Sequence, residues 1–187
     1  ADDTDEAFSS VGMGIIYSHT AYGKILKRII EPHERMSLIS QYYAVHHQSL
    51  ITEVKKELRN YGKAIVVDCH SFPMQPLPCD LDRMQPRPEF CIGTDDFHTP
   101  KKLSRLVEMN LKNMGYSVEL NRPFRGTIVP IEFFIKEPQV ESIMVEVNRS
   151  LYIDEMTGVK KGQFKFIKNQ IQTLLYSIVK DYNGLDY

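Results

Sequence analysis

The chain has 187 residues, 42% of them apolar and 25% charged, with a net charge of −1. That balance is an ordinary globular one and gives no reason to expect nucleic acid or an anionic membrane as partner. A chain this long buries roughly two thirds of its unfolded surface without disulfide staples, no stretch approaches the about 18 consecutive apolar residues of a membrane span, and the whole of 1–187 reads as one domain.

The elements follow in chain order. Ala1-Asp2-Asp3-Thr4-Asp5-Glu6 is acidic, the wrong chemistry for a secretory or mitochondrial address. From about Glu34 to Leu58 the spacing predicts one long helix, with Met36, Ile39, Tyr43, His47, Leu50, Val54 and Leu58 on a single apolar stripe. Pro32 precedes it and Asn60-Tyr61-Gly62 stops it. Ala64–Asp68 is apolar and β-branched, a buried strand. Between Phe72 and Pro88 stand five prolines, so this is a long irregular loop, and long loops are commonly functional. Phe90-Cys91-Ile92 reads as a strand, and Thr99-Pro100 as the cap and first turn of a helix that ends at Gly115. Two further strands are expected at Tyr116–Leu120 and Ile143–Val147, and a last helix from about Gly162 to Tyr182. Strands alternating with helices imply an α/β domain with a mixed, largely parallel sheet flanked by helices.

Cys69, Cys79 and Cys91 cannot all pair within the chain and form no C-x-x-C. They read as small buried hydrophobes, and free thiols fit a cytoplasmic protein.

Asp68-Cys69-His70-Ser71 falls where an apolar strand gives way to the loop, the place where open α/β sheets bind ligands. With a period of two, Asp68 and His70 face the same way. His70 is either a metal ligand whose second nitrogen is oriented by a carboxylate, or a strand-end histidine with an ordinary hydrogen bond. Glu146 interrupts the apolar run Val145-Glu146-Val147, which is costly inside a sheet unless the carboxylate has a task such as general base. The alternative is a glutamate on the solvated face of an edge strand. Arg149 is placed either to clamp a carboxylate in two-pronged fashion or to make a routine surface pair. Asn121-Arg122-Pro123-Phe124-Arg125-Gly126 is a rigid turn rich in donors, suited to an anionic substrate or simply a basic surface loop. His47, on the apolar stripe beside Tyr43, reads by itself as a core histidine. His46 faces elsewhere, and His19, His33 and His98 have no evident partners.

These pieces occur in an order that resembles the N-formylglutamate amidohydrolase family. Tyr42-Tyr43-Ala-Val-His46-His47 resembles its helix motif ending in a Tyr-His pair. Asp68-Cys-His70-Ser71 is similar to its Asp-x-His-Ser strand end, and Ile92-Gly93-Thr94 to the Ile-Gly-Thr after its proline loop. Asn121-Arg-Pro-Phe124-Arg125-Gly126 resembles its Asn-x-Pro-Phe-Lys-Gly turn, and Glu146-Val-Asn148-Arg149-Ser-Leu151-Tyr152-Ile-Asp154-Glu155 its glutamate-centred signature. The resemblance runs from about Gly14 to the final helix. It implies a phosphorylase/hydrolase-like fold related to zinc carboxypeptidases. It further implies a zinc cofactor with His70 as ligand, Glu146 as the base that activates water, and a small acidic substrate held by Asn121, Arg125, Arg149 and His47.

Two places depart from the family's pattern. The turn continues Gly126-Thr127 where the family has Gly-Gly, which restricts the backbone at residue 127. The family's early segment, a strand ending in a Pro-His motif followed by an acidic ligand, has no counterpart, whereas a catalytic zinc needs about three protein ligands. The sequence therefore leads to the expectation of a chain short of its N-terminal segment, or of a member that has lost its metal. The leading expectation is a zinc-dependent hydrolase that splits N-formylglutamate, or another N-acyl acidic amino acid, into its acid and amine. The alternatives are a carboxypeptidase-like or cell-wall amidase, and a non-catalytic protein that binds carboxylate ligands. Oligomeric state is left open.

Overall fold

A computed structural model describes residues 7–26 and 30–182; the acidic run at Asp2, Asp3, Asp5 and Glu6 lies outside them. A helical stretch opens at Pro32, with α1 (Pro32–Leu38), a wider π-type turn (Ile39–Tyr43) and α2 (Ala44–Tyr61) in succession. Gly62, at φ 71°, closes α2 by donating its N–H to Leu58 O, the left-handed cap expected of that glycine. The chain then enters β1 (Ala64–Phe72), crosses the proline loop to β2 (Phe90–Gly93), and continues through α3 (Lys101–Asn113), β3 (Val118–Leu120), β4 (Val140–Asn148) and α4 (Phe164–Ser177).

The sheet order is β1-β4-β2-β3, with β1 parallel to β4, β2 parallel to β3, and β2 antiparallel to β4. The architecture is the mixed, largely parallel α/β sheet that the alternation of elements implied. β4 is interior and every one of its residues is buried, as an apolar strand paired on both edges should be.

Pleating sorts the two faces. Ile143, Val145 and Val147 of β4, with Ile65 and Val67 of β1, pack against Leu103, Val107 and Leu111 of α3 and Ile167 and Leu174 of α4. Ala64, Val66 and Val140 face the other way, against Leu50, Ile51, Val54 and Leu58 of α2. Even-numbered residues of β1 and β4 therefore look toward α2. Because α2 leads directly into β1, it runs back along the strand.

Three expectations need correction. β1 extends through Asp68-Cys69-His70-Ser71 to Phe72, so His70 is inside the strand rather than beyond its end. This polar run is held by pairing to β4, up to Phe72 opposite Asn148. The long helix buries less of its stripe than expected: Val54 and Ile39 are buried, whereas Met36 is 56% exposed. The 18 residues of α2 span about 27 Å and the nine of β1 about 30 Å, so the turns before Ala44 run past the sheet. Thr99 does not cap α3; its hydroxyl donates to Ser142 O on β4 at 2.6 Å, and Pro100 takes the cap position. Among the described residues no helix is long and apolar enough to cross a membrane.

Candidate active site

The polar site grows out of the strand register. His70 of β1 lies directly opposite Glu146 of β4, and Cys91 of β2 lies opposite Glu146 from the other side. Direct partners share a face, so His70 and Glu146 both look toward the α2 side. Asp68, one pleat back, accepts from His70 Nε2 at 2.7 Å through Oδ1, and its Oδ2 accepts the Ile128 N–H at 3.2 Å. Asp68 thus orients the imidazole and is itself held by the 127–129 segment. The hydrogen bond to Asp68 raises the His70 pKa above the ordinary histidine value.

Glu146 is 6% exposed, and its Oε2 is buried without a hydrogen-bond partner among the described residues. Burial lifts its pKa from 4.5 to about 7; the Asp68 charge adds to the rise, while His70, Arg149 and Arg87 oppose it. A carboxylate on the interior strand is not the edge-strand glutamate of the bland alternative. A buried carboxyl poised near neutrality, with one oxygen unused, is suited to accept and return a proton.

The remaining expected residues lie at different strand ends and on α2. Arg149 follows β4 and lies over the end of β1, donating from Nη2 to Ser71 O at 3.0 Å and from Nε to Ser71 Oγ at 3.3 Å. Asn121 stands at φ 57°, and its amide is engaged with Thr94: Oδ1 accepts Thr94 N–H and Nδ2 donates to Thr94 Oγ1, both at 2.8 Å. In the structure that amide builds the turn. Arg125, three-quarters exposed, stands 3.9 Å from Asp96. His47 packs against Tyr43 with the rings tilted and their centroids 4.1 Å apart, and is half-buried rather than a core residue. It lies about 16 Å along α2 from Leu58, and His70 about 20 Å along β1 from Ala64, so the antiparallel pair brings both to the same end of the sheet.

Thr127 turns out to be an anchor. Its hydroxyl bonds Ser142 Oγ on β4 at 2.7 Å, replacing the freedom of a second glycine with a tie to the sheet. Gly93 shows why the Ile-Gly-Thr segment needs its glycine: a Cβ there would collide with the Gly126 carbonyl and the Met144 methyl. His98, read from sequence as lacking partners, is buried with Nδ1–H donating to Val140 O at 2.7 Å and Nε2 accepting Ile135 N–H at 2.9 Å.

Sequence reasoning passed over Arg87 and Asp80. Arg87 is a fully buried cation in the proline loop, paired with Asp80 at 2.5 Å. A Pro-Arg-Pro run in an irregular segment carries no periodic signal of burial. A cleft of about 610 Å³ lies chiefly on the opposite face of the sheet, between Cys69, Val145, Val147 and Ile167, with His70 at its rim. His70 and Glu146 therefore sit beside that cleft rather than at its floor.

Asp68 and His70 form the carboxylate–imidazole arrangement that commonly supports a metal, leaving Nδ1 of the ring for an ion. Among the described residues no group of three His, Cys, Asp or Glu side chains could hold one. They therefore supply one oriented ligand and not a complete site.

The layered α/β sheet thus carries an Asp68–His70 carboxylate–imidazole pair beside a buried Glu146 on one face of two neighbouring strands. The N-formylglutamate amidohydrolase family model matches residues 1–153, and the chain belongs to that family. It is 26% identical over 124 residues to the N-formylglutamate deformylase of Pseudomonas aeruginosa, a match covering 65% of this chain and 46% of that protein. Its fold is similar to that of an N-formylglutamate amidohydrolase from Ralstonia eutropha JMP134, with a TM-score of 0.77, 24% identity, and coverage of 90% of this chain and 61% of the other. The gene product Atu2144 of Agrobacterium tumefaciens matches less closely, at a TM-score of 0.53 and 18% identity over 87% of this chain and 62% of its own. The chain thus spans about half the length of the curated relative it matches.

Proposed function

We propose that the chain serves hydrolysis of the amide of N-formylglutamate, or of a closely related N-acyl acidic amino acid, giving formate and glutamate from the former. The observation that carries this reading is the pairing of His70, oriented by Asp68, with a buried Glu146 poised near pH 7 on the same face. The family name and the deformylase relative support the choice of substrate.

Glu146 takes a proton from the attacking water as its oxygen adds to the formyl carbon. It returns that proton to the amine nitrogen as the carbon–nitrogen bond breaks. Arg149, beyond the C-terminal end of β4, and Asn121 and Arg125, in the turn after β3, hold the substrate's carboxylates in this reading together with His47. Two of them are already engaged, Arg149 with Ser71 and Asn121 with Thr94, so the substrate meets groups held in place beforehand. Zinc is the cofactor this reading expects, with His70 Nδ1 as the chain's ligand. The described residues do not complete a zinc site, and the proton steps above rest on the chain's own side chains.

A second reading, a metal-free protein that binds carboxylates without turnover, is favoured by the lack of a three-ligand group among the described residues. The two separate cleanly. Purified protein is assayed for zinc content and for formate release from N-formylglutamate, beside His70→Ala and Glu146→Gln. The expected result is zinc lost in His70→Ala, and zinc retained with formate release down by about two orders of magnitude or more in Glu146→Gln. Undiminished hydrolysis in both variants removes the mechanism. Tight binding of N-formylglutamate with neither zinc nor turnover establishes the second reading.

A further inference from the structure

We propose that Arg87 is a positioning residue that locks the proline loop to the 121–126 turn, and so fixes the carboxylate-binding rim of the site. Its guanidinium is wholly buried and bonds three points of the loop: Asp80 Oδ2 at 2.5 Å, Asp82 O at 2.9 Å and Pro73 O at 3.0 Å. It also sits beside a pair of rings that touch each other, 5.8 Å from the centroid of Phe72 and 5.7 Å from that of Phe124, whose own centroids are 5.9 Å apart. Phe72 ends the strand that carries His70, and Phe124 belongs to the turn that carries Asn121 and Arg125. One cation therefore joins the strand end, the loop and the turn.

Stability alone does not account for such a residue. Taking a cation and a carboxylate out of water costs several kcal/mol per ion, and well-packed apolar replacements of a buried pair are commonly as stable or more so. What a methionine cannot reproduce is a rigid planar fork bonded in three directions while lying against the Phe72–Phe124 ring pair. Arg122 makes a more open tie between the same segments, to Pro86 O at 3.1 Å and Asp82 at 3.4 Å. The buried tie is the one that touches Phe124.

The inference rests on the reading of the turn as substrate rim, but its first test needs no substrate. Hydrogen exchange is followed in the free protein for wild type and for the double variant Asp80→Asn/Arg87→Met, which leaves no unpaired charge behind. Exchange at residues 122–126 and 74–85 is expected to accelerate at least about tenfold, with the β1–β4 amides unchanged. If the double variant does not fold, Phe124→Leu, which keeps the ion pair and removes one ring, is expected to accelerate exchange at 125–126. Unchanged exchange in the turn overturns the proposal, whatever the protein hydrolyses. With N-formylglutamate, the double variant is expected to raise KM on the order of tenfold with a smaller change in kcat. A purely structural arginine would reduce the folded fraction and leave the KM of what folds unaltered, and that result also overturns the proposal.

Discussion

His70 and Glu146 are direct partners in the parallel pairing of β1 with β4, and both look toward α2. Asp68, on the same face, bonds the imidazole from below. An interior strand that carries a carboxylate here bears a continuous cost, because Glu146 keeps one oxygen buried without a partner among the described residues. That cost is the measurable signature of the site, and it has a sign.

The Glu146 pKa is about 7 in the fold against 4.5 in the unfolded reference. Between these values the folded protein binds more protons, so stability falls as pH rises from 4.5 to 7 and the deficit is complete above 7. At 1.36 kcal/mol per pKa unit the deficit is on the order of 3 kcal/mol. Glu146→Gln cannot ionise, so in metal-free protein it is expected to be the more stable chain at pH 8, by up to that amount. The difference should vanish near pH 4. Urea unfolding of both proteins at the two pH values checks this, and equal stability at pH 8 contradicts it.

His70 behaves in the opposite sense. Its pKa is raised, chiefly by the hydrogen bond to Asp68, so whatever the pair adds to stability is present below the unfolded value of 6.5 and is lost as pH rises through the folded one. Asp68→Asn is expected to bring the His70 titration down toward ordinary histidine. An NMR titration of the His70 ring protons in the two proteins reads this directly; an unmoved midpoint refutes the pairing.

The sequence made some of this legible and not the rest, for physical reasons. Glu146 stood out because a charge within an apolar β-branched run is expensive wherever the strand lies. The α/β class with a mixed sheet was implied by alternating periods, though not the order of its strands, and helix ends such as Gly62 by backbone chemistry that glycine alone supplies cheaply. The second half of β1 was not legible, since Asp-Cys-His-Ser has no apolar alternation and is held in the strand by its neighbour. Arg87 was hidden for a related reason: a buried cation is permitted only by partners such as Asp80, which lie in a segment without period. The overhang of the long helix depended on how far the sheet reaches, a tertiary quantity.

His98 extends the argument to stability away from the site. Buried at 1% exposure, it satisfies Val140 O with one ring nitrogen and the Ile135 N–H with the other. Ile135 is held at φ 54°, an unfavourable conformation for a β-branched residue. His98→Phe keeps the volume of a ring and removes both partners, leaving two backbone groups unsatisfied. A loss of about 2–4 kcal/mol in urea unfolding is expected. A change below half a kcal/mol, about the size of an ordinary surface substitution, would contradict the buried double bridge.

Gly93 connects the fold to the substrate rim. Its missing side chain lets the Gly126 carbonyl approach β2, where Asn121 also bonds Thr94. Gly93→Ala forces a methyl against that backbone oxygen and against the buried Met144 side chain. The side chain can move in part, but the carbonyl can withdraw only by carrying the turn with it. The expected cost is about 1–3 kcal/mol of stability, as for other overpacked sites. The displaced turn should also weaken binding of N-formylglutamate beyond what the stability loss explains, because Arg125 stands beside Gly126. Thermal unfolding and calorimetric titration on the same preparation separate the two effects. A variant that loses stability but binds the ligand unchanged would show that the turn's position relative to β2 is irrelevant to recognition.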